Sequence, residues 1–186
     1  WGALYMRDLV KVNGLEIGIA TISFNIFMVL GRLSGDWIRD KIGVFFLIIF
    51  LFLSTIFSLI ILINFNLVLN YPGVEDFLKM LINNFRILSF FTSQSLLAAI
   101  AFAFLGIGAS SIVPIAYSIA GKIKGIDSGV GITIISIAVY GTFIGAPASL
   151  GYIANNYGIN NIFSPMLIIF IILLIPLVLY RKKFLI

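Results

Sequence analysis

The chain has 186 residues, 61% of them hydrophobic and 10% charged, with a formal net charge of +5 and a mean hydropathy of +1.18. A water-ringed domain carries about 25% charged residues, so these oily runs face something other than an ordinary soluble core. The absence of cysteine and histidine excludes disulfides, thiolate nucleophiles, His-bound metals and histidine general bases within the chain.

Trp1 is not preceded by an initiator Met or a basic stretch, so the start carries no signal-peptide pattern and reads as a point inside a larger protein. Residues 1–6 (WGALYM) look like the tail of a membrane span. Five complete spans follow: Leu15–Leu33, Val44–Leu69, Ser95–Ala120, Ser128–Ala154 and Ile162–Tyr180. Each is near or above the roughly 20 apolar residues that cross a hydrocarbon core. Each must be helical, because lipid offers backbone groups no hydrogen bonds. The expected fold is therefore all-α, a polytopic membrane helix bundle.

Alternating spans sort the connections into two sets. One holds Arg32, Arg39, Lys41, Lys122, Lys124, Arg181, Lys182 and Lys183; the other holds only Arg7, Lys11, Lys79 and Arg86. Short cytoplasmic loops collect Lys and Arg. The first set, with the C-terminus, is therefore assigned inside. Charge placed this way answers to membrane topology, so no nucleic-acid partner is expected.

Residues 31–43 (GRLSGDWIRDKIG) concentrate three basic and two acidic side chains between two oily runs. They read as a solvated loop. Asp36 or Asp40 can pair with Arg32, Arg39 or Lys41, or accept from a neighbouring helix N-terminus. Such contacts would make the loop a gate; a plain positive-inside loop is the other reading. In residues 70–92, Val74, Phe77, Leu78, Leu81, Ile82, Phe85 and Leu88 recur at three- and four-residue steps, with Glu75, Asp76, Lys79, Asn83 and Arg86 on the other face. This predicts an amphipathic helix in the outer interface, as an anchor or as a gate over a substrate path.

The spans differ in character. Val44–Leu69 and Ile162–Tyr180 are dominated by Ile, Leu, Phe and Val, and are expected to face lipid. Ser95–Ala120 and Ser128–Ala154 are rich in Gly, Ala, Ser and Pro. Those are expected to face helices or a cavity, since close approach in lipid relies on small residues. In Ser95–Ala120, Pro114 favours a kink, with Ser110, Ser111, Tyr117 and Ser118 around it. In Ser128–Ala154, Gly141 and Gly145 form a GxxxG pair, followed by Pro147 and Gly151. These positions read as packing grooves or as an interrupted, ligand-binding span. Asn25, Ser110, Tyr117, Ser136 and Tyr140 are the candidate cavity-lining polar groups. No charged side chain lies deep within a complete span, so any intramembrane proton relay would reside outside this chain.

The stretch GRLSGD followed by RDKIG, ending in Asp40, Lys41, Ile42 and Gly43, resembles the loop signature of the major facilitator superfamily. That family has twelve spans in two six-helix halves. By this resemblance WGALYM is similar to the outer end of span seven, GIGASSIVPIAYSIAG to span ten, and the Gly141, Gly145, Pro147, Gly151 pattern to span eleven of the sugar-permease-like branch. Val44, Phe45 and Phe46 stand where basic residues often follow the final glycine, and the 70–92 connection is longer than usual. The resemblance implies the C-terminal half of a secondary transporter in the cell membrane. It also implies alternating access, a small polar solute and an N-terminal six-helix half as partner; the five uncharged candidate side chains suit a neutral solute, and no metal or cofactor is expected. The rivals are a membrane-embedded enzyme, for which the chain offers no His or Cys and only acids on loops without metal-ligand spacing, and a non-transporting remnant or interaction subunit.

Overall fold

The computed structural model describes residues 1–123, 125–179 and 181, without the side chain of Ile87. Lys124, Tyr180, Lys182 and Lys183, used above, lie outside the described residues. Among the described residues the regular structure is entirely helical, with no strand. In order come α1 (Gly2–Tyr5, continued by a π-helical turn, Met6–Val10), α2 (Ile19–Ile63), α3 (Phe65–Leu69), α4 (Val74–Asn84), α5 (Ser93–Ser110), α6 (Ile112–Ala120), α7 (Ser128–Tyr157) and α8 (Ser164–Leu179). Four helical stretches, Gly14–Ile63, Ser93–Ala120, Ser128–Tyr157 and Ile159–Leu179, are long and apolar enough to cross a membrane.

Helix α2 has 45 residues and would extend about 68 Å if straight, more than twice a hydrocarbon core of about 30 Å. It breaks at Gly43, whose φ of 83° and ψ of 160° lie outside the helical region. We call residues 19–42 α2a and residues 44–63 α2b. Their contacts with α5 reveal the reversal. Along α2a, Phe24 and Met28 meet Gly106, Gly31 meets Ser110, and Gly35 meets Ser111, so α2a and α5 run in the same direction. Along α2b, Leu51 and Thr55 meet Gly108, Ser54 bonds to the Phe104 carbonyl and Ser58 to that of Ala101, so α2b runs the opposite way. One left-handed glycine thus carries the whole turn, because a side chain at this φ would be strained. Two antiparallel passes result, and the expected loop over residues 31–43 is corrected. Residues 31–42 remain helical and only Gly43 leaves the helix.

The lipid-facing expectation for Val44–Leu69 is corrected in the same way. Phe45, Leu47, Leu51, Leu59 and Leu62 are buried, with Ser54, Thr55 and Ser58 beside them. Phe46, Phe50, Leu53, Phe57 and Ile60 keep the other face exposed. The small hydroxyl residues sit where α5 approaches most closely. Ser54 Oγ donates to the Phe104 carbonyl at 2.8 Å and Ser58 Oγ to the Ala101 carbonyl at 2.7 Å. A Cβ on Gly108 would overlap Thr55, and one on Gly106 would overlap the Phe24 carbonyl.

The end of the bundle near Thr92 holds an aromatic core. The Tyr5 ring stands edge-on to Phe65, Phe102 and Phe163, and its hydroxyl donates to the Leu62 carbonyl at 2.8 Å. Helix α4 forms within the expected amphipathic segment and inserts Leu78, 2% exposed, into this core, while Phe77 and Met80 stay outside. Thr92 and Ser95 form a reciprocal cap at the start of α5, and the Glu16 carboxylate also accepts from the Thr92 N–H at 3.2 Å. That carboxylate ties the start of the first pass to the start of α5.

Candidate functional site: a charged cavity and a polar wall

Pro114 explains the break between α5 and α6. Proline has no N–H to give the carbonyl four residues back, which belongs to Ser110. The break falls at Ser111, one turn before the proline. The freed Ser110 carbonyl accepts from Arg32 Nε at 3.1 Å. Arg32 therefore takes over the task of the missing backbone donor and bridges α2a to the α5–α6 break.

Around this bridge lies a cavity of about 500 Å³. Arg32, Gly35, Asp36 and Arg39 of α2a line one side, Val44 and Leu47 of α2b another, and Ser111, Pro114, Ile115, Ser118, Ile119 and Lys122 the third. The expected gate residues are thus partly gathered here, with Arg39 as the partner of both carboxylates. Arg39 holds Asp36 at 2.9 Å and Asp40 at 3.2 Å, all on the end of one helix, and the Lys41 ammonium lies 3.9 Å over the Trp37 ring. Among the described residues the carboxylates make no pair across helices. The cross-helix tie is the Arg32 bond to a backbone oxygen.

A second polar feature faces α7. The Tyr117 hydroxyl on α6 and the Ser136 hydroxyl on α7 are 3.1 Å apart, and Ser136 also donates to the Ile132 carbonyl. Gly131 packs against the Ala120 carbonyl, which brings α6 and α7 close at their shared end. Tyr140 stands one turn further along α7, 67% exposed. Asn25 is exposed and donates to the Thr21 carbonyl of its own helix. Ser110 is corrected as a cavity residue: it is fully buried where Gly31 approaches, and its hydroxyl donates to the Ile107 carbonyl.

The packing glycines also sort themselves. Among the described residues, nothing beyond their own helix backbone lies within 4 Å of a Cβ position at Gly141 or Gly145, Pro147 is exposed, and Gly151 meets the Trp1 ring edge. The close approaches within the chain belong to Gly31, Gly35, Gly106, Gly108 and Gly131. Sequence reasoning missed Ser111, Lys122 and the Val44–Leu47 wall as neighbours of Arg32. The Pro114 spacing back to Ser110 is the signal that could have found this bridge.

Outside the spans, two surface pairs shift their protonation. A hydrogen bond from Arg7 holds the Asp8 carboxyl below its ordinary range, and one to Glu75 holds the Lys79 ammonium above its own. Among the described residues no group of three Asp or Glu side chains could hold a metal ion.

The chain is similar to two curated proteins. It is 26% identical over 162 residues to a membrane protein, MosC, of Rhizobium meliloti, across 87% of this chain and 33% of that protein. It is 25% identical over 154 residues to an uncharacterised MFS-type transporter of Yersinia pestis, across 83% of this chain and 33% of that protein. The chain thus spans about a third of the length of these relatives. No family model and no solved structure matches it.

Proposed function

We propose that this chain is the C-terminal half of a secondary transporter of the major facilitator type, in the sugar-permease-like branch, that moves a small neutral polar solute by alternating access. The observation that carries the reading is the state of α7. It is rich in small residues, contains Ser136 and Tyr140, and only 6% of its most apolar stretch is buried. A helix of this composition is suited to a close partner or a wet cavity rather than to lipid. An N-terminal half of the same protein, covering α7, supplies both. The similarity to a protein described as an MFS-type transporter supports the same direction.

In this reading Tyr117, Ser136 and Tyr140 line the solute path, joined by Asn25. Uncharged hydroxyls offer both donors and acceptors, which suits a neutral polar solute. The protein lies in the cell membrane with the Arg39 end and the C-terminus in the cytosol, and acts as a carrier rather than an enzyme.

The test is an uptake screen of neutral polar solutes with the full-length protein in proteoliposomes. Once a substrate is found, Tyr117→Phe and Ser136→Ala are each expected to weaken its uptake about fivefold, the equivalent of one lost hydrogen bond. Unchanged uptake in both variants would remove these hydroxyls from the path. Failure of every solute to accumulate above empty liposomes would favour a non-transporting interaction subunit.

A further inference from the structure

We propose that the cavity around Arg32 binds the phosphate headgroup of an anionic phospholipid. Its charge is unbalanced. Arg32, Arg39 and Lys122 line it with one carboxylate, Asp36, which Arg39 already engages at 2.9 Å. Arg32 is held in place by the bond from its Nε to the Ser110 carbonyl. No carboxylate lies within ion-pair distance of Arg32 or Lys122 among the described residues. Two cations, one on α2a and one in the turn after α6, thus border one space with no counter-charge of their own among the described residues. The Ser111 and Ser118 residues add hydroxyls to the same lining.

The rest of the lining selects an amphiphile over a free anion. Val44 and Leu47 on α2b and Pro114, Ile115 and Ile119 on α6 form an apolar wall beside the cations. A soluble phosphate would leave that wall wet, whereas a phospholipid sets its glycerol and first methylenes against it. The location agrees: the cavity sits where α2a ends, at the Gly43 turn, the level at which a span leaves hydrocarbon for headgroups. Basic pockets between spans are where anionic headgroups bind, at about 1 kcal/mol per cation near the surface. The occupied site would clamp the α2 turn to the α5–α6 break. None of this depends on the chain being part of a transporter.

The test is native mass spectrometry of the full-length protein released from mixed vesicles of phosphatidylglycerol and phosphatidylcholine. The wild type is expected to retain phosphatidylglycerol preferentially. Lys122→Gln, which breaks no side-chain hydrogen bond or ion pair among the described residues, is expected to lower that retention about fivefold, and Lys122→Arg to keep it. Arg86→Gln, a cation lost at the opposite end of the bundle, is expected to leave it unchanged. Equal retention by wild type and Lys122→Gln would overturn the proposal, as would an equal loss in Arg86→Gln. Displacement of the lipid by millimolar inorganic phosphate would overturn the lipid assignment in favour of a free-anion site.

Discussion

Ser93–Ala120 and Ser128–Tyr157 have nearly the same chemistry: both are rich in Gly, Ala and Ser, both contain a proline, and both are apolar enough to span. Yet 61% of the most apolar stretch is buried in the first and 6% in the second. Small residues mark a helix that something approaches closely; they do not say what. For Ser93–Ala120 the partners are the two antiparallel arms of α2, within the same chain. Around Gly141 and Gly145 no partner is present among the described residues.

The contrast breaks most sharply at the glycines. In α5, Gly106→Val puts a branched side chain into the Phe24 carbonyl and the Met28 backbone. Neither can move like a flexible side-chain tip. A loss of about 3 kcal/mol is expected, the upper end for overpacking, read as a lowered unfolding midpoint and poor recovery of monomer from detergent. A midpoint within a degree of wild type would show that α2a and α5 are not in this contact.

Arg32→Met is the next largest. It removes the donor that replaces the missing Pro114 N–H, leaving the Ser110 carbonyl unpaired in a buried place. About 1–2 kcal/mol is expected to go, with faster hydrogen exchange around residues 111–115. Pro114→Ala in the same background restores a backbone donor and is expected to recover part of the loss; no recovery would separate Arg32 from the helix break.

Ser58→Ala removes a single interhelical bond, to the Ala101 carbonyl. Such bonds average about 0.6 kcal/mol in membrane proteins, so a small midpoint shift is expected. Gly141→Ala is expected to cost this chain's bundle nothing, since among the described residues nothing beyond its own helix backbone lies within 4 Å of the added methyl. It should lower transport by the full-length protein if another half covers α7. The smallest effect is alkaline. The Glu75 hydrogen bond raises the Lys79 ammonium, so its stabilisation is complete below about pH 10 and fades as pH climbs through the raised value. Amide exchange in α4 should lose this alkaline dependence in Glu75→Gln.

Side assignment is tested separately. This chain contributes no cysteine, so Asp40→Cys and Asn156→Cys can each be labelled from one face of intact cells. Labelling of Asp40→Cys from outside would reverse the proposed orientation.

The spans were legible because lipid imposes one demand, backbone satisfaction within the segment, and run length records it directly. The amphipathic helix over residues 74–84 was legible from periodicity for the same kind of local reason. The region 31–43 was misread because charge density looks alike in a loop and on the end of a helix. Only φ at Gly43 separates the two. The cavity was half legible. Arg32, Asp36 and Arg39 stood out as charges, and Arg39 was among the partners expected for Asp36; the surroundings of Arg32 did not stand out, because Ser110 offers a backbone oxygen and Lys122 arrives from a stretch 90 residues away in sequence.

By itself, then, the sequence determined which segments avoid water, since hydropathy and length are properties of each segment alone. The tertiary structure alone decided which small residues touch, why Ser54 and Ser58 face α5 rather than lipid, and how Arg32 comes to replace a proline's missing proton donor. These depend on distances between helices, and a linear chain carries no measure of them until it has folded.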